Sequence, residues 1–220
     1  MTHPASKVLR AARSKSSSGR RYSSETKAAL IASAARLFAD HGYAGTSLDE
    51  VVAASRVTKG AFYHHFPSKL ALFEAVFTGL QESAITRIGE AFASESDPWD
   101  QARIGLRAFL DVSREAQFRR ICMQEAPAVL GQEAFAEAER AASLGFIHDV
   151  VNRIVDGIGA TDIDREALSA VFYGAIRSSA EFVADASDPD LASERVEESI
   201  NLILMGLRSL GQLSAESEDR

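Results

Sequence analysis

The period of the apolar residues is the feature that most constrains the fold of this chain. From Ser23 to about residue 212, apolar side chains recur at steps of three and four, which is the period of an amphipathic helix. No alternating stretch flanked by turn residues indicates a strand. The sequence therefore predicts an all-α fold of about nine helices, with a first domain over residues 23–69 and a larger helical domain over residues 70–213.

The first domain is predicted to hold short helices separated by distinct stop signals. Gly42 follows a first helix over about residues 24–41 and predicts a left-handed stop. Ser47 and Glu50 have the S-x-x-E spacing of a capping box, which opens a second helix. A tight turn then leads to a third helix, which Pro67 prevents from continuing. Two short helices joined by a tight turn predict a helix-turn-helix, whose second short helix enters the major groove of DNA.

The rest of the chain is predicted to form longer helices between two disordered termini. After a fourth helix from Ser68, the pattern places helices at about residues 98–114, 116–130, 132–157, 164–186 and 190–212. Residues 1–22 contain no acidic residue and are rich in Ser, Ala, Arg and Lys, which predicts a disordered basic arm. A mitochondrial transit peptide has the same composition and is the alternative interpretation. Residues 214–220 are expected to form a disordered acidic tail.

Charge is distributed unevenly between the two predicted domains. The whole chain carries a formal net charge of −7, which by itself argues against a nucleic-acid partner. Residues 1–69, however, carry eleven Lys and Arg against four Asp and Glu, a net charge of +7. Residues 70–220 carry thirteen against twenty-seven, a net charge of −14. Such asymmetry indicates that the basic part contacts a polyanion, although a solvated basic face would look the same.

Three residues near the third helix are unfavourable for folding alone. Lys59 and Lys69 lie in the first turns of predicted helices, where a cation opposes the helix dipole. Gly60 lies within a helix, where it is less favourable than alanine by about 1 kcal/mol. A DNA phosphate would account for all three, because free helix N–H groups and lysine bind it and glycine allows close approach.

Residues 26–77 resemble the DNA-binding domain of the TetR (tetracycline-repressor) family nearly throughout. The resemblance is carried by A-x-x-L-F-x-x-H-G-Y-x-x-T-S, by V-T-K-G-A-F-Y-H-H-F and by P-S-K-x-x-L. Ser55-Arg56 departs from the Ala-Gly that the family usually has in the turn, so Arg56 needs an unusual backbone angle or adds a phosphate contact. The resemblance implies DNA contacts from Thr46, Ser47, Thr58, Lys59, Gly60, Ala61, Tyr63, His64 and Lys69.

The aromatic and histidine residues of the third helix divide by face. Phe62 and Phe66 are four apart and are predicted to face the core. Tyr63 points elsewhere with a polar tip suited to DNA, although a half-buried packing tyrosine is the alternative. His64 and His65 are adjacent, so they diverge by about 100° and no metal site is expected.

The last two predicted helices indicate an interface between subunits. Heptad spacing on the last helix relates Val196, Ile200, Ile203, Leu207 and Leu210. Spacing alone also fits a seam inside one subunit. The family resemblance implies that the last two helices of each subunit pair into a four-helix bundle, and it favours a homodimer through them.

The middle helices are expected to enclose an effector pocket. Candidates to line it are Phe92, Trp99, Phe109, Phe118, Met123, Phe146 and His148, each of which also fits an ordinary core. Cys122 is the only cysteine, so an intramolecular disulfide is impossible, and a buried structural thiol is favoured over a thiol sensor. No catalytic pattern stands out, and neither a cofactor nor a metal is expected.

Together these features predict a ligand-responsive transcriptional regulator of operator DNA. The resemblance implies a homodimer that binds a palindromic operator, represses transcription, and is released by a small-molecule effector. Rival interpretations are a DNA-binding protein without an effector and, less in keeping with the motifs, an enzyme with a helical pocket. No apolar run is long enough to cross a membrane, and a cytoplasmic location is expected.

Overall fold

The computed structural model describes the backbone of residues 4–158 and 163–218, and side chains over residues 22–141, 143–157 and 163–209. Over these backbone ranges the chain is helical and contains no strand, which confirms the all-α prediction. The helices are α1 Pro4–Gly45, α2 Leu48–Ser55, α3 Lys59–His65, α4 Lys69–Ala93, α5 Pro98–Arg114, α6 Ala116–Phe118, a π-helix Arg119–Glu125, α7 Ala126–Leu130, α8 Gln132–Ile158, α9 Arg165–Asp185 and α10 Pro189–Glu218.

The chain divides into two compact units, with the boundary between Val76 and Phe77 inside α4. The sequence had suggested a boundary at residue 69, where α4 begins. The first two turns of α4 belong to the first unit, and their apolar residues Leu72, Phe73 and Val76 are buried. None of the helices in the described part of the chain combines the length and apolarity that a membrane span requires.

The core of the first unit is built from one apolar face of each of its helices. Its fully buried members are Leu30, Ala34, Phe38, Val51, Phe62, Leu72 and Phe73. Phe38, Tyr43 and Phe73 pack as a ring cluster, with centroid separations of 5.2–5.8 Å. The predicted burial of Phe62 and Phe66 is confirmed. This burial holds α3 in place, because a helix of its length is not stable by itself in water.

Gly42 interrupts the first helix where the sequence predicted a stop. Its dihedral angles are φ 73° and ψ 169°, so φ is positive but ψ is extended rather than left-handed helical. Only glycine adopts this region readily. The Thr46 hydroxyl lies 2.9 Å from the Gly42 carbonyl oxygen and 3.1 Å from that of Leu37, and it donates to these end carbonyls of the helix.

Both chain ends are more helical than the sequence analysis anticipated. Helix α1 begins at Pro4, whereas residues 1–22 were expected to be a disordered arm. Pro4 suits a first helical position, and the alanines, lysines and arginines after it favour helix. Helix α10 runs to Glu218, although a disordered tail was expected from residue 214. Residues 1–3 and 219–220 lie outside the described residues.

Helices α5, α9 and α10 share one core in the second unit. Its buried residues are Leu106, Leu110, Val183, Ala192 and Val196. Two ion pairs add links between α5 and α10, one from Arg107 to Glu197 and one from Arg114 to Asp190 at 2.7 Å. Ile147, Val151 and Val155 on α8 form a second buried cluster, and apolar residues of α9 pack against it.

The predicted heptad stripe on the last helix does not form a single face. Val196 and Ile200 pack in the core of their own subunit, whereas Ile203 is exposed and Leu207 is half-buried. The side chain of Leu210 lies outside the described residues. The helix turns every 3.6 residues, so Leu204 rather than Ile203 continues the buried face from Ile200. The stripe therefore mixes inward and outward positions.

Arg56 provides a test of local backbone strain. It caps α2 with φ 55° and ψ 37°, the left-handed conformation, which confirms the unusual backbone angle expected for this residue. A side chain in this region is unfavourable, whereas glycine adopts it freely. We expect Arg56→Gly to raise the free energy of unfolding by about 0.5–1 kcal/mol, measured by urea denaturation. Arg56→Ala is the control and should give no such increase, because alanine keeps the strain.

Candidate nucleic-acid interface and cavity

Caps position both short helices of the predicted helix-turn-helix. The Ser47 backbone N–H donates to Glu50 Oε2 at 2.7 Å, and the Glu50 N–H donates to Ser47 Oγ at 3.2 Å. This is the predicted capping box, and the hydrogen bonds that the Glu50 carboxylate accepts from the Ser47 backbone N–H and hydroxyl lower its pKa. Thr58 caps α3 by accepting a hydrogen bond from the Ala61 N–H at 3.1 Å. The side chains of Ser47 and Thr58 are exposed, but both already serve a helix end.

The side of α3 that faces away from the core is exposed, and its side chains end in polar groups. Tyr63 is 57% exposed, and its ring meets the buried Phe62 ring edge-on at 5.2 Å. His64 and Lys59 are also exposed. His65 is half-buried, and burial followed by the charges of His64 and Lys27 lowers the pKa of its ring. The buried and the exposed residues of α3 therefore lie on different faces of the helix, as the sequence predicted.

Lys59 has an acidic partner that the sequence analysis did not anticipate. Its Nζ lies 2.7 Å from Asp49 Oδ1, and the two side chains are 61% and 69% exposed. The hydrogen bond to Asp49 raises the pKa of the Lys59 ammonium. Asp49 therefore offsets the unfavourable position of this lysine without any phosphate. A solvated pair of this kind is weak, so an incoming anion can replace Asp49.

Lys69 is bound to backbone carbonyls rather than directed to solvent. Its Nζ donates to the carbonyl oxygens of Tyr43 at 2.9 Å and Thr46 at 3.0 Å. The same ammonium lies 4.1 Å from the centre of the Tyr43 ring, within cation–π range. This lysine thus supplies the cation that the carbonyl-rich end of α1 favours. Lys69 therefore has partners within the protein that account for its position without a phosphate, and its contact with DNA stays a prediction.

The remaining predicted contact residues differ in accessibility. Thr46 is only 1% exposed, and its hydroxyl donates to a carbonyl oxygen at the end of α1, so its contact with DNA stays a prediction. Ala61 is half-buried. Gly60 is exposed, and a Cβ built there would have its nearest neighbour, Thr58 Oγ1, at 3.8 Å. The free protein therefore has room for a side chain at position 60.

The second unit contains a cavity of about 120 Å³ among α4, α5, α8, α9 and α10. Three of the predicted pocket residues, Phe92, Phe109 and Phe146, line it. A neighbouring cavity of about 70 Å³ is lined by Phe109, Phe118 and Met123. Trp99 and His148 lie outside both linings; His148 Nδ1 instead contacts Ser169 Oγ at 3.1 Å. An engineered apolar cavity of about 150 Å³ binds benzene, so the first cavity has the size for a small apolar group.

Cys122 lies in the π-helix and is buried, as favoured from the sequence. Burial raises the pKa of its thiol above the ordinary value, and the nearby Glu139 raises it further. A neutral, enclosed thiol is a poor nucleophile. The residue therefore serves packing in this structure.

Comparison with known proteins identifies relatives of both units. The family model described as "Bacterial regulatory proteins, tetR family" matches residues 30–76, and "Tetracyclin repressor-like, C-terminal domain" matches residues 99–207. The "Probable acrEF/envCD operon repressor" of Escherichia coli strain K12 is 26% identical over 69% of this chain and 72% of its own length. The "HTH-type transcriptional activator FasR" of Mycolicibacterium smegmatis is 28% identical over 46% of each chain.

A solved structure extends the similarity to the whole fold. It is a TetR-family transcriptional regulator from Pectobacterium atrosepticum, 29% identical, with a TM-score of 0.74. The match covers 86% of this chain and 96% of that one. The sequence matches and the structural match therefore relate both units to the same family.

The two lysines are expected to differ sharply in their effect on folding. Lys69→Met keeps the aliphatic stem but removes two charge-assisted hydrogen bonds and a cation–π contact. We expect it to lower the free energy of unfolding by about 1–2 kcal/mol, because the end carbonyls of α1 lose their donor. Lys59→Met removes only a solvated ion pair and should leave stability unchanged within error. Equal effects in urea denaturation would contradict the structural role of Lys69.

Proposed function

Because the chain belongs to the TetR family of transcriptional regulators, we propose that it is a homodimeric, ligand-responsive repressor of operator DNA. Regulation rather than catalysis is the proposed activity, and the cavity is proposed to bind its ligand without reaction. Repression is favoured over activation because the repressor relative matches 69% of this chain and the activator relative 46%. The proposed location is the cytoplasm, where operator DNA is accessible.

The observation that carries the proposal is the two-sided character of α3. One side holds the buried Phe62, and the other presents Tyr63, His64 and Lys59 to solvent. A short helix held by its apolar side can enter a major groove without being remodelled. The net charge of +7 over residues 1–69 supplies the attraction to phosphate.

The proposed DNA contacts follow from accessibility in the free protein. They are Ser47, Thr58, Lys59, Gly60, Ala61, Tyr63 and His64, with Arg56 added as an exposed cation in the turn. Lys59 is proposed to exchange its Asp49 partner for a phosphate. Thr46 and Lys69 are proposed to act as positioning residues, because both bind backbone carbonyls at the end of α1.

The proposed dimer surface lies on the outward faces of α9 and α10. Its large exposed apolar residues are Val171, Phe182, Leu191, Leu202, Ile203 and Met205. Gly174, Ala175 and Ser178 lie between Val171 and Phe182 on the exposed side of α9, where small residues allow close helix approach. An apolar surface of this kind is typical of subunit interfaces, and a second copy of the chain is the proposed occupant.

The proposed regulatory step is a shift between two conformations of the dimer. A ligand in the cavity would contact Ile85, Ile88 and Phe92, which lie on α4. Helix α4 is continuous in the chain with the first unit, since it begins at Lys69 and the boundary lies at Val76. We propose that ligand binding favours a conformation in which the recognition helices no longer match two half-sites.

The function is tested with the DNA that flanks the gene encoding this chain. Duplexes covering the upstream region are titrated with the purified protein and followed by fluorescence anisotropy. The proposal predicts tight binding to one segment that contains an inverted repeat, and much weaker binding when either half is scrambled. Equal affinity for the intact and scrambled segments would overturn specific recognition.

Gly60 offers a test that separates folding from DNA contact. Gly60→Ala should leave stability unchanged or raised, because helix propensity favours alanine and the added Cβ meets open space. Operator affinity should nevertheless fall about tenfold or more, because the methyl group holds the α3 backbone away from phosphate. Gly79→Ala is the matched control: it lies in α4 with no atom within 4 Å of the added Cβ. Wild-type affinity in Gly60→Ala would remove position 60 from the interface.

The dimer surface is tested by placing charges on its two helices. Phe182 and Met205 are 56% and 58% exposed in one subunit, so the double variant Phe182→Asp, Met205→Asp should fold normally. It should sediment as a monomer and lose most operator affinity, because unpaired carboxylates cannot be buried in an interface. Leu144→Asp on α8 introduces one carboxylate at an exposed apolar residue outside this surface and should remain dimeric. A dimeric double variant with normal helicity would refute this surface.

A further inference from the structure

The two cavities of the second unit are adjacent, and their linings differ in polarity. They share the lining residues Ile85, Ile88, Phe109, Ser143, Ile147 and Ile176. A single ligand that fills the larger cavity can therefore also contact the smaller one. Apart from Ser143 and Gln101, the larger cavity is lined by apolar residues. Polar side chains are concentrated in the smaller cavity, where Gln81, Glu139, Tyr173 and Arg177 contribute.

The Gln101 amide, one of the two polar side chains that line the larger cavity, already has hydrogen-bond partners. Gln101 Nε2 donates to the Glu95 carbonyl oxygen at 2.7 Å, and Arg153 donates to Gln101 Oε1 at 3.4 Å. A ligand therefore finds no ready polar partner in this amide. The larger cavity suits an apolar body, whose burial is favourable in proportion to its area.

Two buried polar atoms of the smaller cavity lack a hydrogen-bond partner. Among the side chains that the structure describes, the unpaired buried atoms are Arg114 Nε, Glu139 Oε2 and the Tyr173 hydroxyl, and the last two residues line this cavity. Glu139 Oε2 lies 3.6 Å from Arg177 Nε, too far for a hydrogen bond. Arg177 Nε instead donates to Glu181 Oε1 at 3.1 Å. Leaving such atoms unpaired is unfavourable, and structures usually avoid it.

The hydrogen-bonding chemistry of these two atoms determines which ligand group could pair with both of them. An ionised carboxylate oxygen only accepts hydrogen bonds, whereas a tyrosine hydroxyl both donates and accepts. A hydroxyl or a protonated amine can donate to Glu139 and still bond to Tyr173. A carboxylate or phosphate has no proton for Glu139, and Arg177 is already ion-paired with both Glu139 and Glu181. Burial raises the pKa of the Glu139 carboxyl, with Arg177 acting in the opposite direction.

The π-helix contributes an adaptable side chain to the lining of the same cavity. Met123 belongs to the π-helix Arg119–Glu125 and lines the smaller cavity next to Phe118. Methionine adapts its shape to different neighbours, and π-helical turns recur at functional sites. The smaller cavity can therefore adjust to a head group.

We propose that the effector is an amphipathic molecule, with an apolar body in the larger cavity and a hydrogen-bond donor, hydroxyl or amine, between Glu139 and Tyr173. This inference rests on the proposed effector function and specifies the chemical class of the ligand. It excludes effectors whose only polar group is an anion.

Four probes with one phenylbutyl body test the inference: butylbenzene, phenylbutanol, phenylbutylamine and phenylbutyrate. Each is titrated into the full-length protein by calorimetry. Phenylbutanol or phenylbutylamine should bind about three- to tenfold more tightly than butylbenzene, because a donor pairs the buried atoms. Phenylbutyrate should bind more weakly than butylbenzene. An advantage for the alcohol indicates a neutral head group, and an advantage for the amine indicates a cation.

Variants of the two residues assign the preference to the smaller cavity. In Glu139→Gln and Tyr173→Phe the advantage of the donor probes should shrink severalfold, while butylbenzene binds as in the wild type. Tyr173→Phe should also raise the thermal midpoint by about 2–4 °C, because it removes an unpaired buried hydroxyl. Glu137→Gln, the same change at an exposed position on α8, is the control and should alter nothing.

The outcomes separate this inference from the function on which it rests. Equal binding of all four probes, or tightest binding of phenylbutyrate, overturns the donor requirement but leaves the cavity as a ligand site. A preference that survives in both variants overturns the assignment to Glu139 and Tyr173. Failure of all four probes to bind overturns the inference, whereas operator binding, which is measured independently, tests the regulatory function.

Discussion

Burial of Phe62 is the constraint on which the DNA-binding account depends. Helix α3 is only seven residues long, and a helix of that length does not persist in water without tertiary contacts. Phe62 and Phe66 supply those contacts, and the Thr58 cap closes the N-terminal end. Because these groups fix α3, its remaining side chains need no role in folding and are available for recognition. The buried residues and the exposed residues proposed to contact DNA thus lie on different sides of a single short helix.

The local features of the first unit could be predicted because they depend on a few neighbouring residues. The capping box, the stop at Gly42 and the strained Arg56 each follow from spacing or from backbone geometry. The partners of Lys69 could not be predicted from the sequence, because Lys69 and the Tyr43 carbonyl are 26 positions apart in the chain and meet only when the helices pack. The Asp49 partner of Lys59 likewise depends on how α2 and α3 meet. Both lysines were therefore predicted to contact phosphate when the protein itself already offered a partner.

The second unit was harder to predict because apolar residues look alike in a helical sequence. Periodicity correctly placed the helices, but it could not separate cavity residues from ordinary core. Trp99 and His148, named as candidates with the core as the alternative, lie outside both cavities. Heptad spacing placed Val196, Ile200 and Ile203 on one seam of the last helix, but the spacing could not show that Val196 and Ile200 face the core whereas Ile203 faces outward. Glu139 and Tyr173 gave no signal in the sequence, because the hydrogen bonds missing at Glu139 Oε2 and the Tyr173 hydroxyl can be recognised only in the folded structure.

The central claim is that the chain recognises a specific inverted DNA sequence through paired α3 helices. The most direct measurement mixes the purified full-length protein with duplexes that carry a randomised central segment, recovers the bound fraction, and sequences it. The account predicts enrichment of one half-site sequence that recurs in inverted orientation at a fixed spacing, as a two-fold dimer requires. Recovery of duplexes with no shared sequence, or of a single half-site without its inverted copy, would contradict it.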